Sequence, residues 1–373
     1  MLPPRSARLA PLALSLLLAV GAAAPEAPPP PESAFLLDAP GLSVLGPEAL
    51  EEAPAQFPFA IGERLEYDVS WWGIAVGRAS LEVARLVEWR GNRLAHVVAT
   101  ARTNDFFSLL YPVNDRSESW IDIDRMRTLR TATLTRHAKK ETWEEVEFDW
   151  TTHLVHVVEE KRHVGRVKTA ILDTGPYLYD TFDAFYALRT LPLQIGESSD
   201  LPVYASRKIY GLHVEVERRE DIDDPVLGQI GAWVLRPSDS LDGEAQDDGA
   251  GEVLVSADAP HVPIRLRGWF RTVSERMRVG GVKVVLAGYR GAAPGWPAPI
   301  FSTAPARPWP ARTKLGAPVW DVPPAVEAAR AASGEKPGKQ RIEGVLAPLE
   351  GCDDQPSRGW ARVAMASPGC PGN

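Results

Sequence analysis

Residues 171–175, ILDTG, place an apolar run in front of Asp-Thr-Gly. That is how a pepsin-like or retroviral-type aspartic protease presents its catalytic carboxylate. Such chemistry needs two carboxylates sharing one proton, supplied by a second DTG or DSG half or by a second subunit. The chain contains no second copy, and Pro176 stands where a dimeric enzyme wants a small residue. The spacing reads better as a strand ending at Ile171–Leu172, a turn through Asp173, Thr174, Gly175 and Pro176, and a helix beyond it.

Other chemical residues are weaker candidates. His153 and His156 in HLVHVVEEKRHV fall an odd number apart, on opposite faces of a strand, with no Cys and no H-E-x-x-H pattern to complete a zinc site. The loop DSLDGEAQDDGAGE offers Asp239, Asp242, Asp247 and Asp248 to a calcium ion, but its spacing misses the EF-hand pattern and reads as a solvated linker. Asp122 and Asp124 in SWIDID share a strand face as ordinary alternation would have it. No GxSxG, phosphate loop or dinucleotide fingerprint occurs. The expectation is no catalytic residue, no metal and no cofactor. The remaining enzymatic alternative is an envelope hydrolase using carboxylates near Asp173, Asp180 and Asp183.

The N-terminus reads as an export signal. Arg5 and Arg8 precede the apolar LAPLALSLLLAV, and GAAA supplies small residues for cleavage at 22–24. The apolar run is short for a membrane span, so the mature chain is expected not to span a membrane. Losing both arginines takes the formal charge from −8 to −10, which speaks against a nucleic-acid partner. Cys352 and Cys370 both lie in the last 22 residues, where they either pair across a small loop or stay free.

Proline divides the chain. Residues 25–58 carry nine prolines and 291–373 carry fourteen, against eight across 59–290. The division expected is a signal at 1–23, a Pro-rich arm at 24–58, a folded domain at 59–290 and a largely irregular Pro-rich tail at 291–373. The arm keeps one apolar patch, SAFLLDAPGLSVLG, able to dock on the domain.

The domain reads as strands. In RLEYDVSW, Leu65, Tyr67, Val69 and Trp71 alternate with charged or polar neighbours, and KIYGLHVEVE and VEFDW repeat the pattern. About a dozen such runs with short connections predict antiparallel meanders. One helix is expected, in TFDAFYALRTL at about 181–190. Phe182, Phe185, Tyr186 and Arg189 follow the 3.6 period there, and Thr181 is placed to cap it. The fold expected is mostly β: a large curved antiparallel sheet or unclosed β-barrel around one short helix.

Three segments in this order look familiar. FAIGERLEYDVSWWGIAVGRASLEV carries Phe59, Gly62, Glu63, Tyr67 and Gly77 in the pattern of a family opening. YDTFDAFYALRTLPLQIGESSDLPVY resembles its central helix and following Gly-Glu strand. VLVSADAPHVPIRLRG places Ser256, Asp258 and Pro263 as its later segment does. Together they resemble a family of exported Gram-negative bacterial proteins catalogued as a domain of unknown function, the DUF3108-type domain, over about residues 59–290. The chain departs from it at Val253–Val255, where an aromatic residue is more usual, and in its long tail. The resemblance implies export and a β-rich fold but no reaction. The function expected is a non-enzymatic exported or periplasmic envelope protein. Its curved sheet would bind a lipid-like ligand, or a hydrophobic segment of an envelope protein, through Tyr67, Trp71, Phe182, Phe185 and Tyr186.

Overall fold

The computed structural model describes residues 42–50, 58–175, 177–191, 193–205, 207–241, 244–245, 251–258, 260–271, 278–295 and 342–344. Cys352, Cys370, the signal segment, Asp242, Asp247, Asp248 and most of the tail lie outside them. The first half of the domain runs β1 (Leu42–Leu45), β2 (Arg64–Trp71), β3 (Ile74–Trp89), β4 (Asn92–Thr103), α1 (Asp105–Leu110), β5 (Asn114–Asp122), β6 (Arg127–His137), β7 (Lys140–Asp149), β8 (Leu154–Lys161) and β9 (Arg166–Asp173). The second half runs α2 (Thr181–Leu188), β10 (Ser198–Ala205), β11 (Lys208–Asp224), β12 (Gly228–Leu241), β13 (Glu244–Ala245), β14 (Gly251–Ser256), β15 (Pro263–Arg271) and β16 (Arg278–Arg290), with a three-residue β17 (Ile342–Gly344).

Every strand ladder is antiparallel. The pairings run β10–β11–β12–β14–β15–β16–β2–β3–β4–β5–β6–β7–β8–β9–β17. β1 adds to the far half of β3, Leu42 opposite Trp89 and Leu45 opposite Leu86, so part of the N-terminal arm's apolar patch docks as a strand. Among the described residues no ladder joins β9 to β10. The sheet therefore stays open at this seam, and Tyr179, in the segment after β9, makes a parallel bridge to Val203 of β10.

Side-chain alternation makes the strands. In β2, Leu65, Tyr67 and Val69 are buried while Glu66 and Asp68 are exposed. Bulges then bend the long strands, at Val83/Arg85 in β3 and Val216/Arg218 in β11, because an extra residue increases local twist. Gly77 marks the close approach of β3 and β4: a Cβ there would strike the Arg102 carbonyl. The concave face carries a core of Phe59, Leu65, Leu81, Val97, Ile121, Phe182 and Tyr186, among others. A second apolar group, with Leu201, Val203, Val214 and Leu235, meets Ala184 on another side of α2. The helix thus sits between two walls of one bent sheet.

Four local expectations are corrected. A second helix, α1, occupies DFFSLL; at six residues it is too short to show a period, and Asn104 caps it by accepting from Phe107 N. The cap of α2 is Asp180, not Thr181, because a carboxylate at that position takes two backbone N–H groups at once. β5 ends at Asp122, so Asp122 and Asp124 do not share a strand face. Asp122 Oδ1 instead accepts from the Asp124 and Arg125 N–H groups and forms the turn. His153 lies in the turn before β8 with φ 58°, so only His156 is on the strand.

Candidate functional site

The concave face holds α2 by buried polar contacts at both helix ends. At the N-terminus, Asp180 Oδ1 accepts from Phe182 N at 2.6 Å and Asp183 N at 2.7 Å. Its Oδ2 accepts from the Ser119 hydroxyl at 2.5 Å. One turn on, Asp183 Oδ2 accepts from Thr128 N at 3.0 Å and Thr128 Oγ1 at 2.8 Å. Both carboxyls are buried side by side. Burial, then the charge of Asp180, push the Asp183 pKa well above the ordinary range; burial also raises Asp180. Asp183 Oδ1 meets no protein donor among the described residues. A proton held on Asp183 and donated to Asp180 satisfies that oxygen and removes the repulsion between the two groups.

At the C-terminus, Arg189 grips Glu63 with both arms of its guanidinium, at 2.7 and 2.8 Å, and donates from Nε to the Pro260 carbonyl at 2.8 Å. Each side chain is only 1% exposed. Burial alone would lower the Arg189 pKa, but Glu63 more than offsets it and the net shift is upward. The guanidinium lies 5.3 Å from the Tyr186 ring, which packs against Phe59 at 4.7 Å. Tyr67 donates to the Pro263 carbonyl at 3.1 Å, and burial raises its pKa. These contacts tie β2, β15 and α2 together across 126 and 196 residues of sequence.

The five aromatic residues proposed for ligand binding meet in one cluster. Tyr67, Phe182 and Tyr186 are buried in it, while Trp71 and Phe185 are partly exposed and pack against it. Their rings fill the space between helix and sheet.

Asp173 is the last residue of β9 and does make a turn, accepting from Gly175 N at 3.1 Å, with Gly175 at φ 59°. It is buried rather than on the surface, 4% exposed, and its Oδ2 has no hydrogen-bond partner among the described residues. No hydrogen bond joins it to another carboxyl there. The coupled carboxyl pair of this fold is Asp180 with Asp183. Among the described residues no group of three or more His, Cys, Asp or Glu converges as a metal site.

A second polar group sits on β7 and β8, at the other end of the sheet. Glu144 lies opposite Glu159, and Arg207 reaches Glu159 at 3.2 Å. Desolvation pushes Glu144 up to about 7, with Glu159 adding to the shift and Arg207 opposing it.

That end carries a feature the strand patterns do not announce. The hairpin turns β2–β3, β6–β7, β8–β9 and β10–β11 and the segment holding α1 lie there, as the antiparallel order requires, and so do β13 with Glu244 and the facing ends of β15 and β16. Of the nine large exposed hydrophobic residues among those described, six are at this end: Trp72, Ile74, Phe106, Leu109, Leu110 and Val164. Trp72 is 65% and Leu109 72% exposed. The turns also touch. Asn104 donates to the Ala75 carbonyl at 2.7 Å, Ala138 N donates to the Pro112 carbonyl, and His163 Nδ1 bonds the Glu141 carbonyl at 3.0 Å. The three turn segments HAKK (137–140), KRHVGR (161–166) and RK (207–208) contain cations and no carboxylate. Lys139, Lys140, Arg166 and Lys208 make no ion pair among the described residues. Asp105 is the acidic residue of α1. Sequence could have flagged Trp72 and FFSLL as unusually apolar turn residues, but not their proximity.

A bent, open antiparallel sheet enclosing one helix defines the class, a mostly β domain whose sheet is not closed into a barrel. The chain belongs to the DUF3108 family of proteins of unknown function, whose model matches residues 66–284. No curated protein matches the chain. Solved structures similar to it include a β-barrel-like protein with domain of unknown function DUF1849 from Brucella abortus. That match is at 9% identity and TM-score 0.42, over 62% of this chain and 98% of that one. A candidate exported protein with a YmcC-like fold from Bacteroides fragilis aligns at 10% identity and TM-score 0.25, covering 63% and 98%. A candidate lipoprotein from Parabacteroides distasonis aligns at 9% and 0.28, covering 63% and 99%. Among the described residues no helix is long and apolar enough to cross a membrane.

Proposed function

We propose that this is a non-enzymatic, exported binding protein of the cell envelope, and that it binds an apolar partner. Export is supported by the Arg5/Arg8, apolar and Ala-rich N-terminus. The binding surface is the apolar end formed by the β2–β3 turn and α1, rather than the aromatic cluster under the helix. The observation that carries this reading is the gathering of Trp72, Ile74, Phe106, Leu109 and Leu110 in solvent on two touching segments. Clustered exposed apolar side chains on a folded domain mark an interaction site, whereas single ones do not. Tyr67, Phe182 and Tyr186 contribute by holding the sheet's curvature, and Trp71 connects their cluster to the exposed tip.

A hydrolase built on Asp180 and Asp183 is the second reading, favoured by their coupled, upward-shifted carboxyls. Against it, the two residues are 2% and 0% exposed, and three of their four oxygens already serve helix or strand donors.

Detergent phase partition tests the main reading. The mature full-length chain is expected to enter the Triton X-114 phase, and Phe106→Ser with Leu109→Ser to return it to water without a change in melting. Wild-type protein remaining wholly aqueous would contradict it.

A further inference from the structure

We propose that the apolar end docks on a lipid bilayer surface bearing anionic headgroups; this rests on the reading that the apolar end is the binding surface, and names its occupant. The chain as a whole is acidic, at −8 formally. A protein of that balance is repelled by an anionic bilayer unless its cations are gathered on the face that approaches. They are gathered on the two turns beside α1. Lys139 and Lys140 on the β6–β7 turn are exposed beside the α1 segment, where Tyr111 lies 6.1 Å from the His137 ring and Val113 bridges to His137. Arg166 is exposed on the next turn, beside Val164 at 63% exposure. Lys139, Lys140 and Arg166 are without ion pairs among the described residues, and the carboxylates flanking these two turns, Glu141 and Glu160, are already held by Arg136 and Arg162.

The apolar groups fit the same partner. Trp72 stands at the tip of a two-residue turn with positive φ at both Trp72 and Gly73, which turns the indole away from the sheet. Phe106, Leu109 and Leu110 lie on one short helix next to it. Aromatic and leucine side chains at one level with lysine and arginine around them match the headgroup–acyl boundary, where an apolar face enters by roughly 5–10 Å and the cations meet phosphates. A protein partner would also cover the apolar residues, but it gives no reason for exposed unpaired cations on two neighbouring turns of an acidic chain.

The test is co-sedimentation of the mature full-length protein with vesicles of phosphatidylglycerol and phosphatidylethanolamine, beside vesicles of phosphatidylcholine alone. Binding is expected to the anionic vesicles and to be at least about tenfold weaker to the neutral ones. Each cation near the surface contributes about fivefold, so Lys139→Glu with Lys140→Glu should weaken anionic binding by more than tenfold. Phe106→Ser with Leu109→Ser should abolish it. Melting curves of both variants should match the parent, since the substituted residues are exposed. Equal binding to both vesicles, or insensitivity to the lysine substitutions, would overturn the anionic assignment. Partition into Triton X-114 without vesicle binding would leave the apolar end a docking surface and overturn the bilayer as its occupant. Failure in both assays would remove the underlying reading as well.

Discussion

The caps of α2 and the exposed turns beside α1 treat charge and apolar surface in opposite ways. At the α2 end, Glu63, Arg189, Asp180 and Asp183 are buried and hydrogen-bonded, and the apolar residues beside them are covered. At the α1 end, Trp72, Phe106 and Leu109 face solvent and Lys139 and Lys140 have no acidic partner among the described residues. Buried, paired charges position elements, whereas clustered exposed apolar groups lower solubility unless something meets them. The contrast separates the part of the molecule that builds the fold from the part left over for an encounter. Substitutions should therefore damage stability around α2 and association at the exposed turns beside α1.

The sharpest break in that contrast would come at Arg189. Arg189→Ala leaves Glu63 buried without its partner and should lower unfolding free energy by about 3–5 kcal/mol in urea denaturation. Arg189→Met combined with Glu63→Leu should recover much of this, because no charge then stays buried. A loss under about 1 kcal/mol in the single variant would mean that the bridge does not pin the helix.

Glu144 gives an intermediate effect with a defined sign. Its folded pKa of about 7 lies above the ordinary 4.5, so the protonated form is favoured in the folded state. The associated stability is fully present below about pH 4.5 and is lost as pH rises through 7. Glu144→Gln should flatten that decline, gaining about 1–3 kcal/mol at pH 8 and little at pH 4. Parallel pH–stability curves for parent and variant would show that the desolvation is relieved by water.

The smallest effect is expected at the α1 end. Leu109→Ser should change stability by no more than about 0.5 kcal/mol in thermal unfolding, as for other exposed positions. A much larger loss would show that the residue is covered in solution and would blur the contrast.

Local pattern made much of the fold legible. The alternation of Leu65, Tyr67 and Val69 with Glu66 and Asp68 is the burial alternation of β2, and Phe182 and Tyr186 are the buried face of the helix. Long-range geometry was not legible. Glu63 and Arg189 stand out singly in sequence, but their pairing across 126 residues exists only once the sheet has curved. Asp173 was readable as a turn residue from its Thr-Gly neighbours. Its burial was not, because that depends on what the bent sheet places over the turn. α1 is too short for its period to show, and Asp180 caps α2 through one oxygen while Ser119, on a distant strand, holds the other. The apolar end escaped for the same reason. Trp72, Phe106 and Lys139 belong to three separate turns, and only antiparallel order brings those turns to one side.

Hydrogen exchange of the mature full-length chain, with and without phosphatidylglycerol-containing vesicles, tests the central claim most directly. The account predicts slowed exchange at residues 72–76, 104–112 and 137–140 on adding vesicles, with residues 173–191 unchanged. Slowed exchange confined to 173–191, or no difference anywhere, would contradict it.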